Sequence, residues 1–224
     1  MAETIHILIA DDHPLFRIAL SQAINLIFED ARISEAGSID DLQKLMARGD
    51  NYDLLLLDLQ MPGAHGFSGL IYLRGQYPEV PVVVVSGNDQ DKIIAKAISH
   101  GASGFIPKST DLPDMAAAIK MVLAGALWMP PGFKAPDQDM QAEEISIAQT
   151  VATLTPQQFR VFTLLSEGML NKQIAYEMGV AEGTVKAHVT GILKKFGAYS
   201  RSHLIIAAQK LEAKDATETT GPSG

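Results

Sequence analysis

Over the first 125 residues the chain alternates between two periods, and this limits the fold more than any other feature. Short apolar runs stand at 5–10 (IHILIA), 32–36 (RISEA), 53–58 (DLLLLD), 80–86 (VPVVVVS) and 103–107 (SGFIP). Between and after them lie PLFRIALSQAINLIF, IDDLQKLMARG, GFSGLIYLRGQY, QDKIIAKAISHG and LPDMAAAIKMVLAG, each with apolar residues at helical spacing. Uninterrupted runs such as LLLL and VVVV belong to strands covered on both faces, as in a parallel sheet. Five strand–helix units therefore predict an α/β, flavodoxin-like (βα)5 domain over residues 1–125. Such sheets bind ligands beyond the carboxyl ends of their strands.

After Gly125 the alternation stops. Residues 126–150 begin ALWMPPGFKAPDQDMQ, proline-rich and polar, and are expected to be a linker holding a short amphipathic helix in AEEISIAQTVATL. From Leu154 the periodicity is purely helical, predicting a small all-α domain over 151–212 and a polar flexible tail over 213–224. The net charge of −8 divides unevenly. Residues 1–125 hold nine Lys and Arg against sixteen Asp and Glu, whereas 154–211 hold seven against three, a basic segment in an acidic chain. The chain has no cysteine, which excludes disulfides and thiolate metal sites. MAETIHILIADDHP lacks the basic start of an export signal and no apolar run is long enough to span a membrane, so a soluble, cytoplasmic protein is expected.

The strand ends carry the chemistry. Strand one ends IADDHP, strand three in Asp58, strand four in Ser86, and strand five delivers Lys108. Taken singly, an Asp-Asp pair caps a helix, a serine makes a turn, a lysine is surface and Phe105 is core. Together, Asp11, Asp12 and Asp58 crowd one edge and repel unless a cation sits among them. Hard oxygen donors with open positions suit Mg²⁺. A carboxylate can also act as nucleophile towards a phosphoryl group whose oxygens a metal, a lysine and a hydroxyl position.

In order and spacing, ILIADDHPLFRIAL, LLLLDLQMPGAHG, VVVVSGND and GASGFIPKS resemble the receiver domain of two-component response regulators, over about residues 4–125. The resemblance implies that Asp58 accepts a phosphoryl group from a sensor histidine kinase. It implies Mg²⁺ on Asp12, Asp58 and the backbone carbonyl of Gln60, with Asp11 acting mainly through water. Ser86 and Lys108 would bind phosphoryl oxygens, and Phe105 would be the switch aromatic.

The basic segment places two helices around a tight turn at Gly179, the helix-turn-helix spacing in which the second helix enters the DNA major groove. LTPQQFRVFTLLSEG, NKQIA and GTVKAHVTGILKKFG resemble the LuxR/NarL-type DNA-binding domain over about 154–211. This implies that Lys186, Ala187 and Thr190 face base edges of double-stranded DNA, while Asn171, Lys172, Thr184, His188, Lys194 and Lys195 hold the backbone. Departures stand at Gln158 and Arg160, where acidic residues are usual, and at Ala181, where a capping Ser or Thr is common. Gly183 and Gly191 lie inside the expected recognition helix, each costing about 1 kcal/mol relative to Ala, which predicts a soft helix.

The expectation is a phosphorylation-controlled, sequence-specific transcriptional regulator, not an enzyme, that forms a homodimer when phosphorylated. The acidic receiver is expected to attract the basic domain and partly cover its recognition helix. Two readings compete: a phosphorylation-independent DNA-binding regulator with a receiver-like control domain, and an aspartyl-phosphate hydrolase. Gln60 argues against the hydrolase, because such enzymes commonly carry an acid two residues after the nucleophile.

Overall fold

The computed structural model describes residues 4–136 and 141–212; the expected tail at 213–224 lies outside the described residues. The first unit runs β1 (His6–Ala10), α1 (Pro14–Asn25), β2 (Arg32–Ala36), α2 (Ile39–Met46), β3 (Leu54–Asp58), β4 (Gln60–Met61), β5 (Ala64–His65), α3 (Ser68–Gln76), β6 (Val82–Ser86), α4 (Asp91–Ser99), β7 (Gly104–Pro107) and α5 (Leu112–Leu123). Five strands form one parallel sheet in the order β2-β1-β3-β6-β7. The order reverses between β1 and β3, which sets the ends of β1 and β3 side by side.

The apolar runs explain this arrangement. Every residue of β1, β3, β6 and β7 is buried, because helices cover both faces. On one face Ile7, Ile9, Leu54, Leu56, Val83 and Val85 pack with Leu20, Ile24, Met115 and Ile119 of α1 and α5. The other face presents Leu8, Leu55, Leu57, Val82, Val84 and Phe105 to α2, α3 and α4. β4 and β5 were not expected. They form a two-residue antiparallel hairpin directly after Asp58, with Gln60 opposite His65.

The second unit comprises α6 (Ala142–Ala152), α7 (Pro156–Ser166), α8 (Asn171–Met178), α9 (Glu182–Phe196) and α10 (Arg201–Lys210). Thr155 and Gln158 form a reciprocal capping box that starts α7, so the departure at Gln158 has a local purpose. Gly179, at φ 66, closes α8 and turns the chain into α9. α9 is one unbroken helix across both glycines. A Cβ on Gly191 would come within 2.9 Å of the end of the flexible Gln158 side chain, so a larger residue there would have to displace that amide. The short helix expected within the linker is α6, and it packs against α3 as part of the common apolar core.

Candidate functional site

Strand geometry brings the predicted acidic residues together. β1 delivers Asp11 and Asp12, β3 delivers Asp58, and Lys108 follows β7 at the same edge of the sheet. Asp11 and Asp58 are nearly fully buried, at 1% and 3% exposure. Lys108 Nζ lies 2.7 Å from Asp58 Oδ2 and 2.7 Å from Asp11 Oδ2. Burial alone would lower the pKa of this ammonium, but its hydrogen bonds and attraction to Asp11 and Asp58 outweigh that and hold it above the ordinary value. The Lys108 ammonium also stands 4.9 Å from the centre of the Phe16 ring.

The remaining Asp58 oxygen, Oδ1, accepts the Gln60 backbone N–H at 3.1 Å. Ser86 is buried at the end of β6; its hydroxyl accepts the Asn88 N–H at 3.2 Å and its carbonyl accepts the Lys108 N–H at 2.8 Å. Phe105 is fully buried beside Val84, on the α4 side of the sheet. A cleft of about 480 Å³ opens onto Asp58 between His13, Leu15, Phe16, Gln60, Gly87 and Lys108.

His13 is a residue the sequence reading passed over. Its Nδ1 lies 2.7 Å from Asp12 Oδ1 and 3.1 Å from Asp11 Oδ1, so with Asp11, Asp12 and Asp58 it completes a set of atoms able to surround one cation. Its position directly after the acidic pair was the available signal. The donor set fits a divalent ion by its chemistry: three carboxylates, those of Asp11 and Asp58 buried, offer hard oxygen donors that lie with the His13 nitrogen within 4.8 Å of one another.

The expected DNA-reading residues form an exposed face on α9. Lys186, Ala187, Thr190 and Lys194 are exposed, as are Thr184 at the helix start and Lys172 on α8, while Asn171 and His188 are half-buried. Lys186 pairs with Glu182 one turn earlier at 2.9 Å, and Thr190 donates back to the Lys186 carbonyl. Ala181 supplies no side-chain cap to α9. Lys195 is exposed as well, and its ammonium donates to the Thr153 carbonyl at 2.7 Å, at the end of α6.

The expectation that the receiver covers the recognition helix does not match the structure. The receiver packs on α6 and α7, and the reading face of α9 points away to solvent. The ion pairs between the units are of mixed sense, receiver acid to Arg160 but receiver lysine to Glu144, so net charge did not choose the docking side.

Two family models match this arrangement: the response regulator receiver domain at residues 7–120, and the bacterial regulatory proteins of the luxR family at 152–208. The chain belongs to the two-component response regulators of the NarL/LuxR type. It is 40% identical over 211 residues to a glycerol metabolism activator of Pseudomonas putida, covering 92% of this chain and 96% of that one. It is 33% identical to the nitrate/nitrite response regulator protein NarL of Escherichia coli, over 87% of this chain and 90% of that one. Among solved structures, RcsB of Salmonella enterica serovar Typhimurium bound to a promoter has the same fold, with a TM-score of 0.55 and 21% identity over 93% of this chain and all of that one. As a member of this family the protein is a phosphorylation-dependent, DNA-binding transcriptional regulator. Among the described residues no helix is long and apolar enough to cross a membrane.

Proposed function

We propose that Asp58 is the phosphoacceptor of this regulator and that α9 reads its operator. The observation that carries the first part is a buried carboxylate at the mouth of a cleft, held by Lys108 on one oxygen and by the Gln60 N–H on the other. An Asp58 carboxylate oxygen attacks the phosphorus of a kinase phosphohistidine. The new O–P bond forms as the N–P bond breaks, and the imidazole leaves with that electron pair. Lys108 and Ser86 bind the transferred oxygens. Asp11, Asp12, Asp58 and the Gln60 carbonyl would hold Mg²⁺, with His13 beside them; the ion supplies charge neutralisation for the transferring group.

On the DNA side, Lys186, Ala187 and Thr190 meet base edges, while Asn171, Lys172, Thr184, His188 and Lys194 position the backbone. Lys195 joins them with the donors that its contact to Thr153 leaves over. Two phosphorylated chains bind paired half-sites as a homodimer.

The test is labelling by a small phosphodonor with Mg²⁺, in the wild type and in Asp58→Asn. One stable phosphoryl group per chain, absent from the variant, is the expected result. Undiminished labelling of the variant would remove Asp58 as acceptor. Continuous turnover would favour the hydrolase reading, and no labelling of either chain would favour phosphorylation-independent control.

A further inference from the structure

Asp11 and Asp12 stand just past the end of β1, where the sheet ladders stop. The pairing of β1 ends at Ala10, opposite Ala36 of β2 and Leu57 of β3. One further bond, from the Asp11 N–H to the Ala36 carbonyl at 3.1 Å, leads the chain out of the sheet. The rigid peptide that joins Asp11 to Asp12 lies beyond it, and its orientation governs where the Asp12 carboxylate points.

The two acids are anchored unequally. The Asp11 carboxylate is buried, meets Lys108 at 2.7 Å and accepts the His13 N–H at 2.8 Å. The Asp12 side chain is one-third exposed and meets the exposed His13 ring at 2.7 Å. Its aim therefore depends on the backbone that carries it.

That backbone is gripped from α1. The Arg17 guanidinium donates through Nη1 to the Asp11 carbonyl at 2.7 Å, and through Nε to Glu35 Oε2 of β2 at 2.6 Å. Its planar fork of donors makes both bonds at once, and the charge strengthens the one to the carbonyl. Glu35 has a second effect. It cancels the guanidinium charge, so Arg17 holds the chain beside the acidic cluster without repelling a cation from it. An ion pair on the surface alone would contribute little. The bond to the Asp11 carbonyl gives this pair a consequence at the site.

We propose that Arg17 is a positioning residue for phosphotransfer: by fixing the Asp11–Asp12 peptide it aims the Asp12 carboxylate at the cation shared with Asp58. This rests on the acidic cluster as the Mg²⁺ site. Groups that orient metal ligands change affinity by about 10–100-fold, and Arg17 belongs at the lower end because it acts on one ligand of several.

The test titrates the isotope-labelled full chain with Mg²⁺ alone, read by NMR. Arg17→Met keeps the stem and removes the donors. It is expected to shift the Asp11 carbonyl carbon in EDTA and to raise the Mg²⁺ dissociation constant about tenfold. Arg17→Lys retains one charged donor and should stay within about threefold of wild type. Arg32→Ala removes an exposed pair with Asp50 from the same strand and should stay within about twofold. Labelling of Arg17→Met by a small phosphodonor should need about tenfold more Mg²⁺ for half its maximal rate, while the rate at saturating Mg²⁺ returns to within about twofold of wild type. Should Arg17→Met fail to fold, Glu35→Leu is read instead. It removes the second anchor and leaves the guanidinium charge uncancelled, so Mg²⁺ affinity should fall about threefold or more.

Unchanged Mg²⁺ affinity in Arg17→Met, or in Glu35→Leu where the first does not fold, overturns the proposal. An equal loss in Arg17→Met and Arg17→Lys does so too. A lower melting temperature in EDTA with Mg²⁺ affinity unchanged would reduce the pair to a structural tie between α1 and β2. Failure of the ion site itself looks different: the amide shifts of Asp11, Asp12 and Asp58 in wild type would not move with Mg²⁺, and the role of Arg17 would fall with it.

Discussion

Replacing Lys108 with methionine should destabilise the metal-free chain far more than loss of a surface lysine, and Mg²⁺ should restore much of that loss. The ammonium sits 2.7 Å from one oxygen each of Asp58 and Asp11, with its side chain only 19% exposed. At an effective dielectric of about 20, each pair is worth roughly 6 kcal/mol of direct attraction before the cost of desolvation. Methionine preserves the length and apolar stem but leaves two buried carboxylates facing each other without their counter-ion. Breaking a buried pair in this way costs about 3–5 kcal/mol. For a chain of this size that corresponds to a fall in melting temperature of roughly 6–20 °C. The Lys44→Met control, which loses an exposed contact to Asp41, should change stability by about 0.5 kcal/mol or less. Divalent ion at about a hundred times its dissociation constant returns about 2.7 kcal/mol. Because the variant has lost its internal cation, its melting temperature should rise more with added Mg²⁺ than that of wild type. The assay is thermal unfolding in EDTA and in a Mg²⁺ series. Equal melting of Lys108→Met and wild type in EDTA, or equal responses to Mg²⁺, would refute the view that lysine and metal share the neutralisation of this site.

Three further outcomes can be measured. Lys186→Ala should weaken operator binding by about 1–3 kcal/mol and relax preference at one base position, whereas Lys194→Ala should weaken binding to all sequences and lower the salt slope by about one unit; titrations with specific and random duplexes separate the two. His13→Ala should reduce Mn²⁺ affinity by a larger factor than Mg²⁺ affinity, read by calorimetry, because only the imidazole supplies a nitrogen donor to that cluster. Burial pushes the pKa of His100 below its ordinary value, against the opposing pull of Glu144. Folded chain therefore binds fewer protons there than unfolded chain, so this contribution to stability is present above the unfolded value near 6.5 and is lost as pH falls below it. His6 is shifted the same way by its own burial, so the measurement is the difference between wild type and His100→Gln in melting temperature between pH 7 and pH 5, which should narrow in the variant.

The strand ends were legible because a parallel sheet converts chain order into position. Once the runs LLLL and VVVV were read as strands covered on both faces, Asp11, Asp12, Asp58, Ser86 and Lys108 had to reach one edge, and the structure brings them there. His13 escaped because an imidazole after an acidic pair has no periodic signature; its role depends on where the first turn of α1 aims it. The hairpin of β4 and β5 escaped for a similar reason, being two residues per strand and so too short to show alternation.

The docking side escaped for a deeper reason. Net charge of opposite sign is a long-range property, and it suggested that the basic reading face would lie against the acidic receiver. The contact actually formed is short-range and apolar. It needs an aromatic on each helix, Tyr72 and Phe159, and a glycine at the point of closest approach. Screening leaves surface attraction little reach beyond about 8–10 Å, whereas each buried aromatic removes a large apolar area from water. The residues that looked like departures from the family pattern turn out to belong to packing. Gln158 closes a capping box and touches Gly191, and Arg160 reaches Asp40 across the seam. A basic residue in α7 therefore serves the receiver, not the DNA, and the positive charge of the segment overstates the surface that remains for phosphates. Of its lysines, Lys195 also has a contact within the fold, to the Thr153 carbonyl. On the two helices Lys186, Lys194 and Lys195 of α9 and Lys172 of α8 are the exposed lysines, and it is these, not the charge of the whole segment, that are open to solvent there.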